Sequence, residues 1–295
     1  GDHRDLPSFP TRRSSDLERG VSVAYCDSPG ALDVGQKTFY AVAPLPGDWT
    51  DKQVDSFLRE YNRRSIHNLS VHEAIPGHFL QLAHSNRYPS LLRAVLSSGV
   101  FIEGWAVYTE QMLADEGYMN SDPLMKLITL KWYLRGIANA VIDQAIHAGG
   151  MSEEEAMRLM TVTTFQEERE AAGKWIRAQL TSTQLSTYFV GYQEHRDLRQ
   201  EVEKIRGDGF SLKKYHDQVI SYGSPPVRFV RSLLLDLPVE PYAGEIRPSQ
   251  APQPSGASGE SNSMASAVAS RGRRGPMMRR ETRSQMWPAE TRSRT

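Results

Sequence analysis

A single cysteine, Cys26, stands in 295 residues, so no internal disulfide framework holds this chain together. No apolar run in the sequence approaches the roughly 18–20 residues that cross a bilayer, so no membrane-spanning helix is expected. Charge of one sign is also lacking. The 35 basic and 35 acidic residues cancel, so no global field draws the protein to nucleic acid or to a membrane surface. The first residues, GDHRDLPSFPTRR, lack the apolar core of an export signal. Within them SFPTRRSSDL reads as a translated sequencing adapter. Residues 1–17 are therefore expected to be non-native, with the natural chain extending further upstream, which leaves the compartment unknown and export open.

What is present suits a helical domain. Hydrophobic residues make up 39% of the chain, lean but adequate for one large domain or two small ones. Two short stretches, SVAYCD and KTFYAVAPL, carry β-branched and aromatic residues between turn signals and predict a small β element at the start. From Trp49 onward the signals are helical. Thr50 to Gln53 forms a capping box, with Trp49 and Val54 as its hydrophobic staple. Val54, Phe57, Leu58 and Tyr61 follow at helical spacing. Ser90, Asp122-Pro123, Ser152 and Ser211 mark further helix starts, and Gly117 and Gly149-Gly150 mark helix ends. After residue 239 the chain turns to Ser, Gly, Pro and Arg with no apolar period. The expected organisation is a helical domain over 18–239 and a disordered low-complexity tail over 240–295.

Residues 71–81, VHEAIPGHFLQ, carry the chemistry. Zinc hydrolases place two histidines four apart on one helix face, with a glutamate beside the first. Here His72 and His78 are six apart, which on an ideal helix turns them roughly 120° away from each other. Pro76 and Gly77 answer that objection. Proline clashes with the carbonyl four residues back, and glycine accepts backbone shapes that other residues avoid. Together they can break the helix and bring His78 back over His72. A zinc site also needs a third ligand and a general base. Glu103, in FIEGWAVYTE, is the best candidate ligand, and Glu73 the candidate base. Glu110 lies two turns from Glu103 on the same face and is placed to orient a histidine ring. Gly104 admits a close helix neighbour. His67, His84, His195 and His216 show no partner pattern.

These residues resemble the bacterial family known as domain of unknown function 885. The resemblance rests on VHEAIPGHFLQ and EGWAVYTE, with CDSPGAL, FYAVAPLPGDWT, LRGIANAVIDQAIHAGGMSEEEA, QLSTYFVG and SLKKYHDQVISYGSPPVRFV in order. It covers about residues 20–236 and would correspond to the C-terminal half of a full-length member. It implies a mainly α, zincin-like fold related to gluzincin metallopeptidases. It further implies that His72, His78 and Glu103 bind Zn2+ and that Glu73 is the base. The substrate expected is a peptide or small amide, and a missing N-terminal half is expected to complete the cleft.

For the oxyanion of such a reaction Tyr188 is the first candidate donor and His147 the second. Arg135 is a candidate for holding a substrate carboxylate. The KTFYAVAPL strand, with Tyr40, is a candidate for pairing with an extended peptide. Two other readings stand beside the peptidase: a metal-dependent hydrolase of an ester or other non-peptide bond, and an inactive helical fragment or binding module.

Overall fold

The computed structural model of the chain describes residues 23–33 and 35–239. The expected non-native segment 1–17 and the low-complexity tail 240–295 lie outside the described residues. β1 (Ala24–Asp27) pairs with β2 (Phe39–Val42) in a two-stranded antiparallel sheet, with Ala24 opposite Val42 and Cys26 opposite Tyr40. Every regular element that follows among the described residues is a helix.

The helices that follow Thr50, Asn62, Ser90 and Ser98 each start where that short polar side chain satisfies the first free N–H groups. α1 (Asp51–Glu60) carries the Thr50 capping box with Gln53, and Trp49 meets Phe57 edge-on at 5.1 Å. Leu58 is exposed, so the apolar stripe of α1 is narrower than its sequence suggests. α2 (Arg63–Glu73) begins at Asn62, whose side chain accepts from the backbone N–H of Arg64 and of Ser65. α3 (His78–Ser85) and the one-turn α4 (Leu91–Val95, capped by Ser90) lead to α5 (Gly99–Asp115), capped by Ser98. Gly117, with φ of +86°, closes that helix in the left-handed conformation, and the four-residue α6 (Tyr118–Ser121) follows.

α7 (Pro123–Gln144) uses Asp122 as its cap and Pro123 at its first position, and runs on through a π turn (Ala145–Gly149) to a left-handed Gly150. α8 (Glu153–Arg158) carries the Ser152 capping box with Glu155. α9 (Glu168–Leu180), α10 (Ser186–Arg206), α11 (Leu212–Ser221) and α12 (Val227–Leu234) complete the described chain.

α5 is the hub, packed against α2, α3, α7 and α10. Phe101, Trp105, Tyr108 and Met112 line one side of it and meet Tyr192, Leu198 and Val202 of α10, with Tyr215, Val219 and Val230 closing the core. The closest approach of the two helices is at Gly104 and Gly191. A Cβ on either would run into the backbone of the opposite helix, so only glycine fits at both. Smaller apolar clusters gather around Ile142 and Met160, and around Ala24, Tyr61 and Leu69.

Candidate metal centre

The HEAIPGH stretch is not one helix. α2 stops at Glu73, the Ile75–Pro76 peptide bond is cis, and α3 restarts at His78. The break is closed on itself: the Gly77 N–H donates to the Val71 carbonyl at 3.0 Å, and Leu80 N–H to Ala74 at 3.3 Å. Gly77 sits so close to the His72 carbonyl that a Cβ there would overlap it. Trp105 of α5 fixes the outside of the turn by donating its indole N–H to Pro76 O at 2.9 Å. The two imidazoles end up edge to face, with centroids 4.7 Å apart.

Glu103 comes in from α5. Its Oε2 lies 3.6 Å from His72 Nε2 and 3.4 Å from His78 Nε2. One ligand atom from each of His72, His78 and Glu103 lies within 4.8 Å of the others. Atoms held about 2.0–2.2 Å from a tetrahedral ion stand roughly 3.3–3.6 Å apart, which matches both separations from Glu103. Glu103 Oε2 is buried and has no hydrogen-bond partner among the described residues, and the same is true of His78 Nδ1. Buried carboxylate oxygens seldom lack partners. The donor set, one carboxylate and two imidazoles with a shared focus, fits a zinc ion.

A second set of contacts aims the first. His72 Nδ1 meets Glu110 Oε1 at 2.6 Å, which turns Nε2 toward the cluster. Glu110 in turn accepts from Asn68 Nδ2 at 2.5 Å, and Thr129 donates to Asn68 Oδ1 at 3.0 Å. Asn68, one turn before His72 on α2, was not singled out from sequence, although its i−4 position is a readable sign.

The electrostatics are those of a tight acid–imidazole cluster. Burial opposes charge on His72, but Glu103 and Glu110 hold its pKa well above the usual imidazole value. Burial would raise Glu103, yet the two histidines outweigh it and keep the carboxyl far down. Glu73 is pushed up, by burial first, while His72 and His78 pull the other way. Its Oε2 accepts the Cys26 backbone N–H at 3.0 Å.

That bond lays β1 against Glu73, and β2, from the KTFYAVAPL stretch, pairs with β1. Which strand of a two-stranded sheet docks on a helix depends on tertiary packing that alternation within either strand does not reveal. Tyr40, on β2, faces Ser70 and the charge of Glu73; burial raises its pKa, and it stays 39% exposed.

Tyr188 reaches the site. Its ring stacks on His72, with centroids 6.3 Å apart. Its hydroxyl accepts from Arg177 at 2.9 Å and from Gln184 at 3.2 Å, so the O–H proton remains to be donated. Gln184 also reaches Glu103 Oε1, at 3.4 Å. The Tyr-x-x-Gly motif therefore has two halves: Gly191 seats α10 on α5, and Tyr188 faces the cluster. Buried Asp143 fixes the start of α10 by accepting from the Thr183 and Ser186 N–H groups, each at 3.0 Å.

His147 does not reach the site. Its Nε2 sits between the carbonyls of Ala178 and Thr181, at 2.9 and 2.6 Å, and it is absent from the pocket wall. Its N–H satisfies carbonyls at the end of α9, a helix-terminal role.

Arg135 does line the pocket, but it is already engaged, donating to Glu170 Oε1 at 2.5 Å and to the Tyr61 hydroxyl at 3.0 Å. The pocket extends from His72, Glu73, Glu110 and Tyr188 toward α7 and α9.

No curated protein matches the chain. Among solved structures it is similar to one described as a putative lipoprotein of unknown function from Shewanella oneidensis, at 45% identity and a TM-score of 0.66, over 72% of this chain and 39% of that one. One described as a putative lipoprotein from Colwellia psychrerythraea shares the fold at 24% identity and a TM-score of 0.66, over 76% of this chain and 36% of that one. The chain thus spans well under half the length of either. A match to the family described as bacterial protein of unknown function (DUF885) covers residues 4–234, including most of the segment read above as adapter-derived. The chain, with its broken His helix and the glutamate-bearing α5 beneath it, belongs to the DUF885 family of bacterial proteins.

Proposed function

We propose that the His72–His78–Glu103 cluster binds zinc and serves a hydrolase of the zincin-like, gluzincin type that cleaves a peptide or small amide. The observation carrying this reading is the convergence of the three side chains across a helix break, with Glu103 Oε2 buried and without a hydrogen-bond partner among the described residues and Glu73 beside it. A zinc ion held there supplies carbonyl polarisation and a bound water of lowered pKa. Glu73 then takes a proton from the attacking water and returns it to the leaving nitrogen. Tyr188 donates its O–H to the oxyanion, since Arg177 and Gln184 already occupy its lone pairs. Glu110 holds the His72 ring in place. In this reading a further part of the longer relatives completes the substrate cleft. An exported location belongs to the same proposal, supported by the description of the 45% identical Shewanella protein.

Elemental analysis of the purified wild type beside Glu73→Gln and His78→Ala tests it. Equimolar zinc is expected in the wild type and in Glu73→Gln, with peptide turnover lost in the latter. His78→Ala should lose the metal. Full zinc retention in His78→Ala overturns the assignment.

A further inference from the structure

The pocket that begins at His72 and Glu73 changes sign along its length. Its far end is lined by one stripe from each of two helices. α7 contributes Trp132, Arg135 and Asn139, and α9 contributes Glu170, Lys174 and Arg177. Residues three, four and seven apart share a helix face. Three basic side chains therefore share this wall with one carboxylate, Glu170.

That carboxylate is fully used. Glu170 Oε1 takes Arg135 at 2.5 Å and lies 3.5 Å from Lys174 Nζ, while Oε2 accepts the Tyr61 hydroxyl at 2.8 Å. Glu60 pairs through Oε2 with Lys131 at 2.7 Å, while its Oε1, without a hydrogen-bond partner among the described residues, stands 3.8 Å from Arg135 Nη1, beyond hydrogen-bond reach. Arg177 has no carboxylate within ion-pair distance among the described residues. Its hydrogen-bond partners, the Tyr188 hydroxyl and Gln184 Oε1 at 2.9 Å, are neutral.

Unfilled polar atoms gather at the same place. Trp132 Nε1, Arg135 Nη1 and Asn139 Oδ1 are buried and have no hydrogen-bond partner among the described residues. Leaving such atoms unpaired is costly unless something else bonds them. The crowding also acts on Lys174: burial first, then Arg135, with Arg177 adding to it, pulls its pKa down to about 7. Gly136, within the α7 stripe, leaves the pocket open, because a side chain there would meet nothing within 4 Å. The cavity of about 100 Å³ holds several waters, or a small charged group with a short chain.

We propose that this end of the pocket seats a carboxylate of the substrate, held by Arg177 and Arg135 with the Trp132 N–H beside them. Its place in a cleavage reaction rests on the zinc reading above, whereas the seat itself does not. The carboxylate belongs either to the C-terminus of a peptide or to an acidic side chain. A terminal carboxylate anchored there, with the carbonyl to be cleaved at the metal end, makes the protein an exopeptidase that trims from the C-terminus.

Calorimetric titration of the full chain, as purified and after chelation, tests the seat with three probes: N-acetyl-Ala-Ala acid, its C-terminal amide, and N-acetyl-Glu-Ala amide. The chelated sample removes binding of a carboxylate to a metal from the comparison. At least one acidic probe is expected to bind about tenfold or more tighter than the neutral amide. Whichever acid wins identifies the source of the carboxylate. The preference should fall below about threefold in Arg177→Gln, which strands no carboxylate because both partners of Arg177 are neutral. Equal affinity for all three probes in the wild type, or no measurable binding of any, overturns the proposal. So does a preference that survives in both Arg177→Gln and Arg135→Lys. A protein that never takes up zinc would sink the hydrolase reading and leave this comparison intact.

Discussion

Two pairs of histidines lie against opposite faces of α5, three of them buried and His216 partly so, and they differ in what surrounds them. His72 and His78 face the stripe that carries Glu103 and Glu110. His195 and His216 pack against Phe101, Trp105 and Tyr108 on the other side. In the first pair, neighbouring carboxylates overcome burial and hold His72 well above its usual pKa. In the second, burial wins and both rings drop to about 4. There His195 Nε2 donates to Phe101 O at 2.9 Å, and His216 Nε2 lies 2.8 Å from the Tyr108 hydroxyl. Burial that no carboxylate outweighs, helped at His216 by the Arg199 charge, thus yields neutral imidazoles that serve the core. Acidic neighbours with unfilled lone pairs yield a cluster suited to a cation. What sorts the two pairs is the adjoining element, since buried His195 and buried His72 shift in opposite directions.

Removing the acid should break that contrast most sharply. Glu103→Leu is expected to lower zinc affinity by more than about 100-fold, while His195→Phe should keep equimolar zinc and lose only thermal stability. Zinc content after dialysis, set beside melting curves, checks both. Glu110→Gln acts one bond further out and should weaken zinc by about 10–100-fold, as read by competition with a chromophoric chelator. Gly191→Ala tests the frame that both pairs share. It forces a methyl group into the Val100 carbonyl and should cost about 3 kcal/mol in chemical denaturation.

The smallest expected effect is a pH slope from the cationic wall. The folded pKa of Lys174, about 7, lies below its ordinary 10.5, so above pH 7 the unfolded chain binds more protons and stability rises with pH. That rise should amount to about 1 kcal/mol between pH 7 and 8. It should vanish in Lys174→Met, as measured by urea midpoints. Cys26, raised by burial from 9.0 to about 11, opposes the trend at higher pH, so the window closes near pH 9.

Much of this was legible in the sequence, for local reasons. Thr50, Ser90, Asp122, Ser152 and Ser211 cap helices as their side chains allow, because capping involves only the next three residues. The Pro76-Gly77 break was readable from what those two residues do to a helix, and the shared face of Glu103 and Glu110 from their spacing. Contacts across the chain were not. Arg177, Lys174 and Asn139 meet only once α7 and α9 face each other, and nothing in the period of either helix says which neighbour it has. His147 shows the opposite failure. It sits in a stretch that suggested a role, yet its ring is consumed by two nearby carbonyls. That Cys26 of β1 meets Glu73 also depends on docking and not on pattern.

The glycine contact between α5 and α10 bears on how freely the rest of the chain can vary. Gly104 adjoins Glu103, and Gly191 lies one turn from Tyr188. Where two backbones touch directly, the gap between ligand helix and tyrosine helix is set by main-chain radii, so exchanging one bulky core residue for another leaves it unchanged. Sequence drift elsewhere in the bundle is then absorbed as volume, and the spacing of the polar groups stays constant.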